Sequence, residues 1–252
     1  TAGLSGAIIA GIAIYTRYKL FDITMILNGA LGGLVAITAG PHLYTMIDSI
    51  LIGGIGGALV VLALPLFDRF RIDDLPRERW RNGAGWTRPV CSREVGGQLW
   101  WRVSVADISA GGPFSRFEGM DRIAVMLSGG GLCLSNADVR LVFDGPGSVV
   151  QFPGEWALQC DAPEVPTQLF NIMARRGSTG VRVLLAADEP LALPPGGHQV
   201  ALVLRGQFEL VPPTGARHIL GAGEGVHWQS QDAGWCAAQI RGGGAMVWCA
   251  LL

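Results

Sequence analysis

Up to Phe67 the chain hardly alternates between apolar and polar positions. Ala2–Ile14, Ile23–Ala39 and Ile50–Phe67 are nearly unbroken apolar runs. The last two approach the ~20 residues that a bilayer span needs. They predict an all-α segment of about three transmembrane helices. Small residues recur four apart, at Ala7/Gly11, Gly29/Gly33 and Gly53/Gly57. Such faces let helix backbones approach closely in lipid and imply packing against further spans. The alternative, core helices of a soluble protein, would require burying three uncharged runs in one small domain.

Further on the period becomes two. Trp101, Val103 and Val105 fall on one side of a stretch whose other side is Arg102, Ser104 and Ala106. This predicts a strand with one apolar face. Gly111-Gly112-Pro113 ends it. Phe114 and Phe117 then bracket Ser115 and Arg116, and Asp121-Arg122 precede the next apolar run, Ile123–Leu127. The remaining chain reads as short strands with Gly and Pro turns, the pattern of a sandwich or barrel. An internal repeat sharpens this. Ala124–Leu134 parallels Ala201–Leu210, and Phe143–Val150 parallels Leu220–His227. Each piece is a strand, a Gly turn and a returning strand. The expectation is a mostly β region of two similar jelly-roll-like halves, about 80–176 and 177–252, with ligands taken in a barrel mouth.

Charge divides the chain at the same place. Before Phe67 the charged residues are Arg17, Lys19, Asp22 and Asp48; Asp68–Arg81 is a charged stretch that reads as a linker. Placing basic loops on the cytoplasmic side puts residues 15–22 and everything after 68 inside, with the membrane contacted through residues 1–67. This implies the inner (cytoplasmic) membrane for the whole chain, and the cytoplasm for the β region alone. The first residues read as the middle of a longer protein. The formal net charge of −1 gives no argument for a nucleic-acid partner. Five cysteines without a C-x-x-C pair read as free thiols in a reduced compartment.

Candidate chemistry is sparse. The sequence has no H-x-H, nucleophile elbow or P-loop, and His198, His218 and His227 all fall in the second half. No catalytic residue, metal ligand or cofactor is assigned, and binding is expected rather than catalysis. A metal-dependent cupin enzyme using His198, His218 or His227 is the alternative. Arg forms two-pronged hydrogen bonds to carboxylates. The candidate ligand-binding set is therefore Asn82, Arg102, Ser104, Asp107, Ser115, Arg116, Asp121, Arg122, Asn171 and Arg175. The expected partner is a small acidic metabolite. The competing reading of the arginines is ion pairing that holds loops to the rim. Phe114 and Phe117 read as core.

Three blocks carry a family resemblance. WRVSVADISAGGPFSRFEGMDR, ending at Arg122, resembles the signature of the HutD/Ves family of double cupins. Trp80-Arg-Asn-Gly-Ala-Gly-Trp-Thr-Arg88 and Phe170-Asn-Ile-Met-Ala-Arg-Arg176 agree with its flanking motifs, except that Pro89 stands where the family has an acidic residue. The resemblance covers about 75–252 and implies a role in histidine utilisation, binding an intermediate such as formylglutamate. A second resemblance covers about 1–74. Tyr18–Thr38, Ile52–Gly57 and Ile72-Asp73-Asp74 are similar to the ammonium transporter (Amt/Mep/Rh) family, over about three of its eleven spans. It implies a remnant that does not conduct alone, working with other spans or subunits, or alternatively an ammonium transporter fragment or sensor in nitrogen metabolism.

Overall fold

The computed structural model of the 252-residue chain describes residues 1–18, 23–38, 44–63, 67–80, 85–186, 190–211, 217–229, 235–240 and 243–252. They fall into two compact units, Thr1–Leu66 and Phe67–Leu252.

The first unit is three helices, α1 (Ala2–Tyr18), α2 (Ile23–Ile37) and α3 (Met46–Ala63). Thr45 starts α3 as a reciprocal cap: its amide donates to the Asp48 carboxylate at 2.9 Å, and the Asp48 amide donates to its hydroxyl at 3.3 Å. Glycines bring the helices together. A Cβ on Gly57 would strike the Gly6 carbonyl, one on Gly53 would strike Ala2, and one on Gly29 would strike Ala10. The α2 and α3 pairs expected from the sequence lie in these contacts, but α1 meets them with Ala2, Gly6 and Ala10 instead of Ala7/Gly11. The large aliphatics point outward: Ile8, Leu27, Leu31, Val35, Ile55 and Leu59 are exposed.

The expectation of transmembrane helices is corrected on length. Among the described residues no helix is long and apolar enough to cross a membrane. The reason is visible at the ends. The second run is helix only as far as Ile37, and after the third helix Phe67 is already in a strand. His42 lies outside the described residues.

Among the described residues the second unit is all β apart from one short 3-10 turn, Ile72–Asp74. Its strands before the internal repeat are β1 (Phe67–Arg71), β2 (Glu78–Arg79) and β3 (Gly85–Val95). The first half continues with β4 (Gln98–Ile108), β5 (Gly112–Pro113), β6 (Met120–Ser128), β7 (Leu132–Ser135), β8 (Arg140–Phe143), β9 (Val149–Pro153), β10 (Gln159–Cys160) and β11 (Thr167–Arg175). The second half holds β12 (Val181–Ala186), β13 (Leu191–Leu193), β14 (His198–Arg205), β15 (Gln207–Val211), β16 (His218–Gly221), β17 (Glu224–Gln229), β18 (Trp235–Gln239) and β19 (Ala245–Leu251).

The repeat reappears as topology. In the first half the large sheet runs β2-β3-β4-β11-β6-β9 and the small one β5-β10-β7-β8. In the second half the large sheet runs β1-β17-β14-β19-β12 and the small one β13-β18-β15-β16. Thus β9-β6-β11-β4 matches β17-β14-β19-β12, and the small sheets match strand for strand. Alternation gives each large sheet two buried faces. In β4, Ala106 and Ile108 face the first barrel's core with Met126, Leu134 and Phe143. Trp101, Val103 and Val105 face the other way, against Val200, Leu202 and Cys249 of the second half.

The charged stretch after Phe67 is an ordered part of this unit rather than a linker. β1 pairs antiparallel with β17, from Phe67 opposite Trp228 to Arg71 opposite Glu224. It covers the edge that β17 would otherwise leave open. Phe70 lies over Gly225, where a Cβ would strike its ring and sit 2.7 Å from the Ala201 carbonyl. Gly225→Ala is therefore expected to cost about 1–3 kcal/mol by overpacking, seen as a melting temperature lower by several degrees in a thermal scan of the full chain.

Candidate functional site

The inward face of the first barrel carries polar groups, charged Arg122 among them. On β4, Arg102 and Ser104 share the inward side with Ala106; on β11, Asn171 lies between Leu169 and Met173; on β6, Arg122 is two residues before Ala124. The register places Asn171 opposite both Ser104 and Ala124. Arg102, Ser104, Ala106, Arg122, Asn171 and Met173, with Trp80, Thr87, Phe114, Ser115 and Phe117, line a cavity of about 70 Å³.

Arg122 is its centre. Only 5% of the residue is exposed. Its guanidinium carbon stands 4.5 Å from the ring centroid of Phe114, 5.1 Å from Phe152 and 5.4 Å from Phe117. Aromatic faces attract a cation. Nη1 donates to the Ser115 carbonyl at 2.9 Å and Nη2 to the Asn171 side-chain oxygen at 3.1 Å. Nε is buried and has no hydrogen-bond partner, and no carboxylate pairs with the group, among the described residues. Burial pushes its pKa down to about 9, which leaves it charged at neutral pH.

Five of the ten expected residues, Arg102, Ser104, Ser115, Arg122 and Asn171, meet at this cavity. Arg102 stands at the rim, 3.1 Å from the exposed Glu78. Four are placed elsewhere. Asp107 accepts from Arg88 Nε at 2.9 Å, Gln168 at 2.8 Å and Arg77 at 3.2 Å, and borders a separate cleft of about 400 Å³ with Trp86 and Ser128. Arg116 pairs with Glu118 at 2.8 Å, Asp121 with Arg176 at 2.7 Å, and Arg175 donates to the Leu99 carbonyl. Asn82 lies outside the described residues. Rim ion pairs thus exist, with partners other than the Arg102–Asp107 and Arg116–Asp121 pairing that the sequence suggests. Phe114, read as core, does belong to the first barrel's core and also walls the Arg122 niche, which Phe117 walls too.

Thr87-Arg88 of the first block has a structural task. Arg88 is 5% exposed; besides Asp107 it donates to the carbonyls of Ile72 at 2.8 Å and Asp73 at 3.2 Å. The neighbouring Pro89 cannot donate to the sheet, and the register shifts between Pro89 and Cys91. The acid that meets this motif comes from Asp107, across the sheet.

The repeat explains why the second barrel has no such niche. By the parallel of Ala124 with Ala201, Arg122 corresponds to Gln199, and Asn171 corresponds to Trp248, which pairs with Ala201. Trp248 Nε1 donates to the Gln199 oxygen at 3.0 Å, and the Gln199 amide donates to Pro194 and Gly196 carbonyls at 2.7 and 3.2 Å. A fully buried indole fills the space and every polar group of the pair is met. The histidines do not build a site in either barrel. His218 lies against Phe67 with centroids 4.4 Å apart and the rings tilted by 58°, while His198 and His227 share the face turned toward the first half.

Residues 72–248 match the HutD family model. The chain belongs to the HutD family. Residues 1–75 match the model of the Ammonium Transporter Family. Protein Ves of Escherichia fergusonii is 35% identical over 119 residues, 46% of this chain and 62% of that protein, so the chain spans less than two thirds of that relative. HutD from Pseudomonas fluorescens SBW25, solved in a formate condition, superposes with a TM-score of 0.63 at 19% identity, covering 73% of this chain and 97% of that one. A cupin 2 conserved barrel domain protein from Leptotrichia buccalis gives 0.52 at 10% identity, covering 75% and 98%. At these identities the two structures speak for the cupin fold alone. Within this HutD-family unit, the block that ends at Arg122 and the block that begins at Phe170 meet in space at the Arg122–Asn171 hydrogen bond.

Proposed function

We propose that the HutD-family unit binds a small acid by its carboxylate in the mouth of the first barrel, with Arg122 as the receiving charge. One observation carries this reading. A buried guanidinium stands in a cavity with its Nε unmet and no carboxylate beside it among the described residues. A buried unpaired charge is costly, and such groups mark functional sites. An anionic oxygen would supply both the missing charge and the missing acceptor. The cavity of about 70 Å³ has room for a few waters or a carboxylate head, so the rest of the acid extends to the rim, where Arg102 stands. An acylated, two-carboxylate compound such as formylglutamate fits that division, and with it a role in histidine utilisation, limiting flux or expression by sensing an intermediate.

The test is calorimetric titration of the full chain with formylglutamate at several pH values. The anion binds the protonated guanidinium. Affinity is therefore expected to stay flat between pH 6 and 8, because burial lowers the guanidinium's pKa without removing its charge in that range. Affinity that instead falls between pH 6 and 8 assigns the contact to another group.

The helical unit, in the same reading, is a remnant of an ammonium transporter that does not conduct alone. Its glycine-lined contacts and outward Ile, Leu and Val residues support an apolar surround of lipid or further helices. Alkaline carbonate extraction checks this: the full chain is expected to stay with the membranes, and its release would contradict the reading.

A further inference from the structure

Three metal-ligating side chains converge where the two halves of the β unit meet. Cys91 of β3, His198 of β14 and His227 of β17 bring one ligand atom each to within 4.8 Å of one another. The topology dictates this meeting. His198 shares a face of β14 with Val200 and Leu202, and His227 is the register partner of Val200, on the opposite side of β17 from Val226 and Trp228. Both imidazoles therefore look across the interface, and Cys91, beside the irregularity after Pro89, looks back. The cluster lies outside both barrels and away from the Arg122 niche.

Two further observations mark it as a binding site. His198 Nε2 is buried without a hydrogen-bond partner among the described residues. Asp68, the register partner of His227 on β1, brings its carboxylate to 3.9 Å from His227 Nε2.

We propose that Cys91, His198 and His227 bind a thiophilic divalent cation of the Zn²⁺ class, with Asp68 beside His227 as an outer partner. One thiolate and two imidazoles, with a fourth position for solvent, suit such an ion, and bonds of ~2.0–2.3 Å put tetrahedral donors roughly 3.3–3.8 Å apart, so the cluster contracts by about an ångström on loading. Binding forms the sulfur–metal bond and releases the Cys91 proton to solvent, with no redox change. The ion ties β3 of the first half to β14 and β17 of the second, and to β1 before them.

The experiment is titration of the chelator-treated full chain with Co²⁺, a spectroscopic stand-in for Zn²⁺. One equivalent is expected to give tetrahedral visible bands with a near-ultraviolet sulfur-to-cobalt band, and Zn²⁺ is expected to displace it. Cys91→Ser removes the sulfur band. His198→Ala and His227→Ala each weaken binding about 100-fold or more, and Asp68→Asn about 10-fold, judged against the ~10–100-fold that outer partners are worth. The absence of a sulfur band in the native chain overturns the proposal. So does a band that survives Cys91→Ser, which would assign the metal to another thiol such as Cys249. If Cys91→Ser does not fold, unchanged affinity in both histidine variants overturns it equally.

Discussion

Replacing Arg122 by Met is expected to weaken acid binding far more than it weakens the fold. Losing one partner of a desolvated charge pair costs about 2–5 kcal/mol, or roughly 30- to 5,000-fold in affinity. Stability responds differently because the charge has no counter-ion among the described residues in the free protein. Met fills a similar space among Phe114, Phe117 and Phe152 and removes a buried cation, a change worth up to ~1–4 kcal/mol in favour of the fold. Against this, the Ser115 carbonyl and Asn171 side chain lose a donor, at about 1–3 kcal/mol each. The two effects offset to within a few kcal/mol. Paired calorimetric titration and thermal melts check it. A variant that melts far below the native chain would make Arg122 a structural residue.

The opposite outcome is expected at the second buried arginine. Arg88→Met should lower stability by about 3–5 kcal/mol, because it strips a charge from a half-closed network and leaves Asp107 short of its shortest charged partner. The carbonyls of Ile72 and Asp73 lose their donor too, freeing the 3-10 turn that links β1 to the rest. For a unit of this size the melting temperature should fall by roughly 6–20 °C. Acid binding below that temperature should persist, since Arg88 does not line the Arg122 cavity. The contrast between these two variants separates ligand grip from structural pairing.

How much of this was legible follows from which contacts are local. The period-two pattern at Trp101–Ile108 already separates Arg102 and Ser104 from the tryptophan face, and the structure puts that polar face inside the barrel. The repeat of Ala124–Leu134 in Ala201–Leu210 is legible because both copies keep a Gly turn between paired strands, and it returns as matching sheet orders. The choice among arginines is not legible. Arg116 and Arg122 both sit near aromatics in sequence, and what separates them is Asn171, 49 positions from Arg122, which only the β6–β11 register brings alongside. Asp107 finds Gln168, 61 residues away, for the same reason. β1 was hidden by its charge: a stretch with Asp68, Arg69 and Arg71 reads as solvated until an open edge strand recruits its backbone. His227 reads as a neighbour of Trp228 in sequence, yet alternation sends the two to opposite faces, and that reversal creates the cluster with Cys91 and His198. The glycine spacings in α2 and α3 were legible, whereas helix length was not, since hydropathy does not show where a strand takes over from a helix.

The most direct test of the acid-binding account is a crystal structure of the full chain with formylglutamate. A carboxylate oxygen is expected about 2.7–2.9 Å from Arg122 Nε, between Asn171 and the Phe114 ring, with the remainder of the molecule directed to Arg102. Density for the acid in the cleft beside Arg77 and Asp107 instead, with the Arg122 niche holding none, would contradict it.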